Sequence, residues 1–126
     1  MQPRPTAAEI LAAIVPVLEN EAVPALSGPV QHHARVAANL AAIVERELLL
    51  ATASDERERQ ALVALLPDGA SDPHDLVGVR RELADALRAG LADDREVDAR
   101  VWTVLMDATR ADLAICKPGH DAWEGE

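Results

Sequence analysis

The residues best suited to chemistry lie in one segment, residues 29–50, which reads PVQHHARVAANLAAIVERELLL. It places two histidines, two arginines, an asparagine and two glutamates among small apolar residues. Buried together, such groups form either a pocket or a structural network of hydrogen bonds. In a pocket, an arginine would hold a carboxylate or phosphate and a histidine would transfer a proton. The candidate set is His33, Arg35, Asn39, Arg46 and Glu47.

Two carboxylates interrupt apolar stripes, Glu47 in this segment and Asp112 nearer the C-terminus. A buried carboxylate needs a cation or several hydrogen-bond donors nearby, and Arg35, Arg46 and Arg80 are the candidates. The pattern leaves two interpretations open. One is a polar pocket with a tuned carboxylate, and the other is a buried ion pair that sets helix register.

Metal and nucleophile patterns are weak. His32 and His33 are adjacent, whereas two ligands on one helix need a spacing of three or four residues. Cys116 and His120 have that spacing, but Pro118 lies between them. Glycine-rich phosphate loops and nucleophile elbows are also missing from the sequence. We therefore expect no metal ligands, no catalytic residue and no cofactor, although an enzymatic role stays open.

The length of 126 residues predicts a single helical domain over residues 1–126, with loose tails at residues 1–5 and 119–126. Apolar residues make up 49% of the chain, but aromatic residues only 2%. The core must therefore consist of Leu, Val, Ile and Ala, a composition that favours helix, with Trp102 and Trp123 as the candidates for its bulky members.

The net charge of -10 opposes binding to nucleic acids and to anionic membranes, because both need clustered basic residues. No apolar run approaches the length of a membrane helix, and the first ten residues lack a signal-peptide pattern. We expect a cytoplasmic protein. Charge alone would also allow an acidic helical protein that mimics a nucleic-acid surface.

Helical periodicity predicts an all-α bundle of about five helices. A capping box, Thr6 with Glu9, opens the first helix, and Pro16 should kink or split it. The second helix is predicted at residues 30–50. A third should begin at Ser54 or Asp55 and reach residue 66. The fourth is predicted to begin at a cap at residue 71 or 72 and to end just before Gly90, and the fifth is predicted at residues 94–116.

The second helix has two contrasting faces. At about 100° per residue, Val36, Leu40, Ile43, Val44 and Glu47 share one side. Small residues on the opposite side permit close approach of another helix, either within the bundle or from a second copy of the chain. An alanine-rich solvent face is the remaining alternative. The predicted interface residues are Ala34, Ala38, Ala41 and Ala42.

Four stretches carry a resemblance to a known family: RPTAAEIL at residues 4–11, PALSG at 24–28, HARVAAN at 33–39 and IVEREL at 43–48. The family that they resemble consists of small bacterial all-helical proteins without an assigned function. Weaker similarity continues at residues 88–90 and 113–115. In that family an aromatic residue tends to stand at the position of His32, and a lysine at that of Asp112.

The resemblance implies a gene neighbourhood of aminoglycoside-phosphotransferase-like kinases and acyl-CoA dehydrogenases. We therefore expect a non-catalytic accessory protein that binds such a metabolic enzyme or forms a homodimer. Apolar helix faces would supply its affinity, and its acidic surface would steer a basic partner. The alternative is a small-ligand-binding or catalytic domain with its polar pocket on the second helix.

Overall fold

Helices provide all of the regular structure in residues 4–120, the part of the chain that this computed structural model describes. The domain is all-α and packs four helices, the first of which is joined from pieces, together with one 3-10 turn. The predicted fold class is confirmed. The predicted number of about five helices changes because two of the expected helices are one.

The first helix begins as predicted and then changes its winding. In α1 (Ala7–Val17), the side chain of Thr6 accepts a hydrogen bond from the backbone N–H of Glu9, and the carboxylate of Glu9 accepts one from the backbone N–H of Thr6. Pro16 lies inside α1 and cannot donate a backbone hydrogen bond. A π-helical turn (Leu18–Ala22) follows, and a short α2 (Val23–Ala25) completes the helix. The interruption therefore comes just after Pro16.

The second and third predicted helices form a single helix, α3 (Gly28–Leu65), of 38 residues. The expected break before Ser54 or Asp55 was wrong. No glycine or proline interrupts this stretch, and Ser54 is buried inside the helix, with only 8% of its surface exposed. A serine followed by an aspartate resembles a cap, but tertiary burial of the same position keeps the chain helical.

The C-terminal half contains α4 (Leu76–Arg88), a 3-10 turn (Leu91–Asp93) and α5 (Arg95–Cys116). The cap of α4 is Asp75, three or four residues later than predicted. Gly90 lies in the left-handed region with φ of 100°, which ends α4 as its sequence position suggested. The carboxylate of Asp94 accepts hydrogen bonds from the backbone N–H groups of Glu96 and Val97, and so caps α5.

The contacts divide the chain into two compact units. Unit 1 comprises the described residues 4–51 and 114–120, and unit 2 comprises residues 52–113. Unit 2 contains a conventional apolar core, in which Leu62 and Val79 are completely buried. The buried members of this core are Leu62, Leu65, Leu66, Val79, Leu83 and Val101.

Unit 1 is packed differently. Its buried apolar side chains, among the described residues, are Val15 and Ala38. Three of the four apolar side chains of the predicted stripe on the second helix are exposed, Val36 by 42%, Leu40 by 56% and Val44 by 45%, and the fourth, Ile43, is partly buried. Unit 1 therefore packs α3 through its alanine side and leaves its larger apolar side in contact with solvent.

No helix among residues 4–120 is both long enough and apolar enough to cross a membrane. The tails that were predicted to be loose lie mostly outside the described residues, at 1–3 and 121–126. At the N-terminal edge of the described range, the side chain of Arg4 forms an ion pair with Glu9.

Candidate functional site

The five predicted site residues do not converge on one pocket. Arg35 and Asn39 line a shallow groove, whereas Arg46 is partly buried elsewhere and bonds to a backbone carbonyl. His33 and Glu47 are exposed on the side of α3 that carries the larger apolar residues. The arrangement separates the histidine that was expected to transfer protons from the arginine that was expected to hold an anion.

The groove has a volume of about 300 Å³ and is lined by Glu19, Val23, Arg35, Ala38 and Asn39. Its volume lies at the lower end of the range for small-molecule sites, roughly 300–1,000 Å³. The lining combines one cation, one carboxylate and one amide, and it offers no nucleophile. This chemistry suits weak recognition of a small anion better than catalysis.

Arg46 has a structural role. Its Nε donates a hydrogen bond of 2.6 Å to the carbonyl oxygen of Ile115, which lies in the last turn of α5. The last carbonyls of a helix lack hydrogen-bond donors within the helix and carry partial negative charge. A guanidinium at this position supplies the missing donor and a compensating positive charge. The sequence of residues 29–50 alone could not predict this contact, because Arg46 and Ile115 are 69 positions apart.

The alanine face that was predicted as an interface packs within unit 1. Ala38 is only 2% exposed, and it lines the groove together with Glu19 and Val23 of the first helix. The other three members, Ala34, Ala41 and Ala42, are partly buried. Of the alternatives that the sequence left open, the structure therefore supports close approach of another helix from the same chain.

The expectation that Glu47 and Asp112 are buried was wrong, since both are exposed. The nearly buried carboxylate belongs to Glu58, whose side chain is 10% exposed. Arg80 donates two hydrogen bonds to it, of 2.7 Å from Nε and 2.6 Å from Nη2. These bonds raise the pKa of Arg80, and the negative charges of Glu58, Asp112 and Asp55 add to the effect.

A sequence signal for Glu58 did exist. It stands four and seven residues before Leu62 and Leu65, a spacing that places all three on one face of a helix. The prediction named Arg80 as one of three candidate partners for a buried carboxylate, but it assigned the wrong carboxylates. The bidentate geometry and the large separation in sequence indicate a pair that holds α3 and α4 together within unit 2.

Titratable clusters are sparse among residues 4–120. The rings of His32 and His33 lie 6.2 Å apart at an interplanar angle of 56°, and both side chains are exposed. Cys116 is exposed, and His120 follows it beyond the end of α5. Within this described range, no group of three or more histidine, cysteine or acidic side chains is placed to hold a metal ion.

An exposed side of α5 carries Trp102. The expectation that Trp102 belongs to the core was wrong, and Trp123 lies outside the described residues. Trp102 is 67% exposed, and together with Met106, one turn later, it lines a depression of about 220 Å³. Thr103, Asp107 and Arg110 complete the lining. The signal was present in the sequence, because Trp102 is offset by about 100° from the buried Val101 on the same helix.

The fold and this surface define an all-α protein with exposed apolar side chains, and the five predicted site residues do not meet in one pocket within residues 4–120. Residues 24–120 match a domain of unknown function, DUF6285, so the chain belongs to this family. The match leaves the RPTAAEIL stretch at residues 4–11 outside it. Comparison with curated proteins and with solved structures gave no match.

Proposed function

We propose that this protein is a non-catalytic helical interaction protein that binds a metabolic enzyme and stabilises or regulates it. The observation that carries the proposal is the exposure of Trp102. Tryptophan is among the residues most enriched at binding hot spots, because one side chain supplies a large apolar area and an N–H donor. A tryptophan that is 67% exposed beside a methionine is suited to anchor a partner.

The dispersal of the polar set supports the same proposal. An enzyme needs its acid, base or nucleophile within hydrogen-bonding reach of one reacting group. Here Arg46 donates a hydrogen bond to a carbonyl oxygen at the end of α5. Arg35 and Asn39 line the groove, whereas His33 lies outside it. The remaining candidates for a functional feature are exposed apolar side chains on the surface of an acidic protein with a net charge of -10. Such a protein associates fastest with a partner that presents a basic surface.

The sequence resemblance suggests two candidate partners, a phosphotransferase-like kinase and an acyl-CoA dehydrogenase. Each should be purified and titrated with the tagged 126-residue chain by calorimetry. Truncation of a hot-spot tryptophan costs about 2 kcal/mol or more, so Trp102→Ala should weaken the complex by about thirtyfold or more.

Val77→Ala is the matched control, because Val77 is an apolar residue of α4 with 61% exposure. We expect it to change affinity by less than about threefold, since most interface and surface truncations cost little. Equal losses from both variants would mean that Trp102 is not the anchor. Failure of both enzymes to bind the unmodified chain at micromolar concentration would contradict the choice of partner class.

A second candidate is a small-ligand domain, and one observation favours it: Arg35 and Asn39 line the same groove. Its ligand would carry a carboxylate or phosphate, which a guanidinium binds in a bidentate manner. Thermal unfolding with phosphate and with a series of short carboxylic acids tests this candidate. A rise in melting temperature that Arg35→Ala abolishes and His33→Ala leaves unchanged would support it.

A further inference from the structure

Unit 1 leaves most of its large apolar side chains uncovered. Eleven of the fourteen exposed large hydrophobic residues in the described range lie there, while its buried apolar residues are Val15 and Ala38. Soluble monomers rarely expose contiguous apolar patches of this kind, and a unit of this size with so small a core is not expected to be stable alone. Some other surface should therefore cover it.

Three of the uncovered residues, Val36, Leu40 and Val44, lie along one side of α3. His33, Val36, Leu40, Val44 and Glu47 recur at intervals of three or four positions, which places them on one side of the helix. Each of the five is exposed. We name this set the α3 stripe. It contains one histidine and one glutamate, and its other members are apolar.

The α3 stripe is symmetric about Leu40. Val36 and Val44 stand four positions to either side of it, and His33 and Glu47 stand seven positions to either side. When two identical helices run antiparallel about a two-fold axis at Leu40, each residue lies level with its symmetry counterpart. Val36 then faces Val44 of the second copy, and His33 faces Glu47 of the second copy. Apolar residues meet apolar residues, and the basic side chain meets the acidic one.

We propose that the α3 stripe is the interface of a homodimer, in which two copies of α3 pack antiparallel with Leu40 on the two-fold axis. An isologous interface requires one patch to be complementary to itself, and the α3 stripe meets this requirement in both polarity and charge. This proposal goes beyond the partner-binding function, and the stripe shares no residue with the Trp102 surface.

A membrane is a poorer occupant. Amphipathic helices that bind lipid surfaces carry lysine and arginine along their polar face, and this chain has a net charge of -10. A second copy of the same chain is equally acidic, so the contact between copies must itself be poor in charge. The α3 stripe is poor in charge, with a single carboxylate that faces a histidine.

Cysteine cross-linking tests the register directly. In a Cys116→Ser background, which removes the native thiol, Leu40→Cys places two thiols at the two-fold axis. We expect rapid oxidation to a disulfide-linked species of twice the 13.5 kDa chain mass on a non-reducing gel. Val30→Cys is the matched control. It is also exposed and also on α3, but the proposed register separates the two copies of residue 30 by about 30 Å.

Charge reversal provides a second test that does not depend on a thiol. His33→Glu places a carboxylate opposite Glu47 of the other copy and should weaken the dimer at least tenfold in analytical ultracentrifugation. Adding Glu47→Lys to this variant restores opposite charges and should restore the dimer. Circular dichroism of each variant checks that the helices persist.

Three results would overturn the proposal. One is a sedimentation mass of a single chain for the unmodified protein at micromolar concentration. Another is a dimer whose Val30→Cys variant cross-links as fast as Leu40→Cys. The third is binding of the unmodified monomer to phosphatidylglycerol vesicles, lost in Leu40→Glu, which would make the α3 stripe a lipid-binding face.

Discussion

Leu62 offers the sharpest test of the packing in unit 2. Its side chain is 1% exposed and lies in the cluster formed with Val79 and Leu83. Leu62→Ala removes three carbon atoms, worth about 0.8 kcal/mol each in transfer free energy, and it leaves a cavity that adds a further cost. The expected loss is about 3–4 kcal/mol in the free energy of unfolding. Urea denaturation followed by circular dichroism at 222 nm measures it.

Leu49→Ala is the matched control for Leu62→Ala. Both residues lie in α3, so the gain in helix propensity from leucine to alanine is about the same, but Leu49 is 63% exposed. We expect a change of less than about 0.5 kcal/mol for Leu49→Ala. A loss of less than about 1 kcal/mol for Leu62→Ala, or equal losses for the two variants, would refute the packing of unit 2 described above.

Two further predictions concern the ion pairs of unit 2. Arg80→Ala leaves the nearly buried carboxylate of Glu58 without its two hydrogen bonds, so it should lower the free energy of unfolding by about 1–3 kcal/mol. Arg88→Ala, which breaks an exposed pair, should cost less than about 0.5 kcal/mol in the same urea titration. Hydrogen bonds from Arg59 and then Gln60 lower the pKa of Glu56 to about 2, so Arg59→Ala should return that pKa toward its ordinary value of 4.5. The stabilisation from the pair of Arg59 and Glu56 is present above about pH 4.5 and is lost as the pH falls toward 2. Carboxyl chemical shifts and acid unfolding, measured for the unmodified chain and for Arg59→Ala, follow this loss.

Local signals in the sequence predicted the ends of several helices. The capping box at Thr6, the glycine at position 90 and the aspartate at position 94 each supply a hydrogen-bond partner or a backbone conformation that depends on neighbouring residues alone. A similar local signal gave a wrong prediction at Ser54, which was expected to cap a new helix but lies inside α3. A side chain that can cap a helix can also be buried in one, and the choice depends on residues distant in sequence.

The faces of α3 show why the candidate site was harder to predict. Periodicity separates a side of large apolar residues from a side of alanines, but it does not say which side the first helix covers. In the structure the alanine side, with Ala38 at its centre, is covered, because small side chains allow a close approach. The role of Arg46 likewise depends on the end of α5, 69 residues away.

The most direct test of the proposed interaction function is a titration of the 126-residue chain and its Trp102→Ala variant against a phosphotransferase-like kinase and an acyl-CoA dehydrogenase. Our account predicts a stoichiometric complex between the unmodified chain and one of these enzymes, weakened about thirtyfold or more by Trp102→Ala. It also predicts that Val77→Ala binds normally. Equal binding by Trp102→Ala and the unmodified chain, or no complex with either enzyme, would contradict the account.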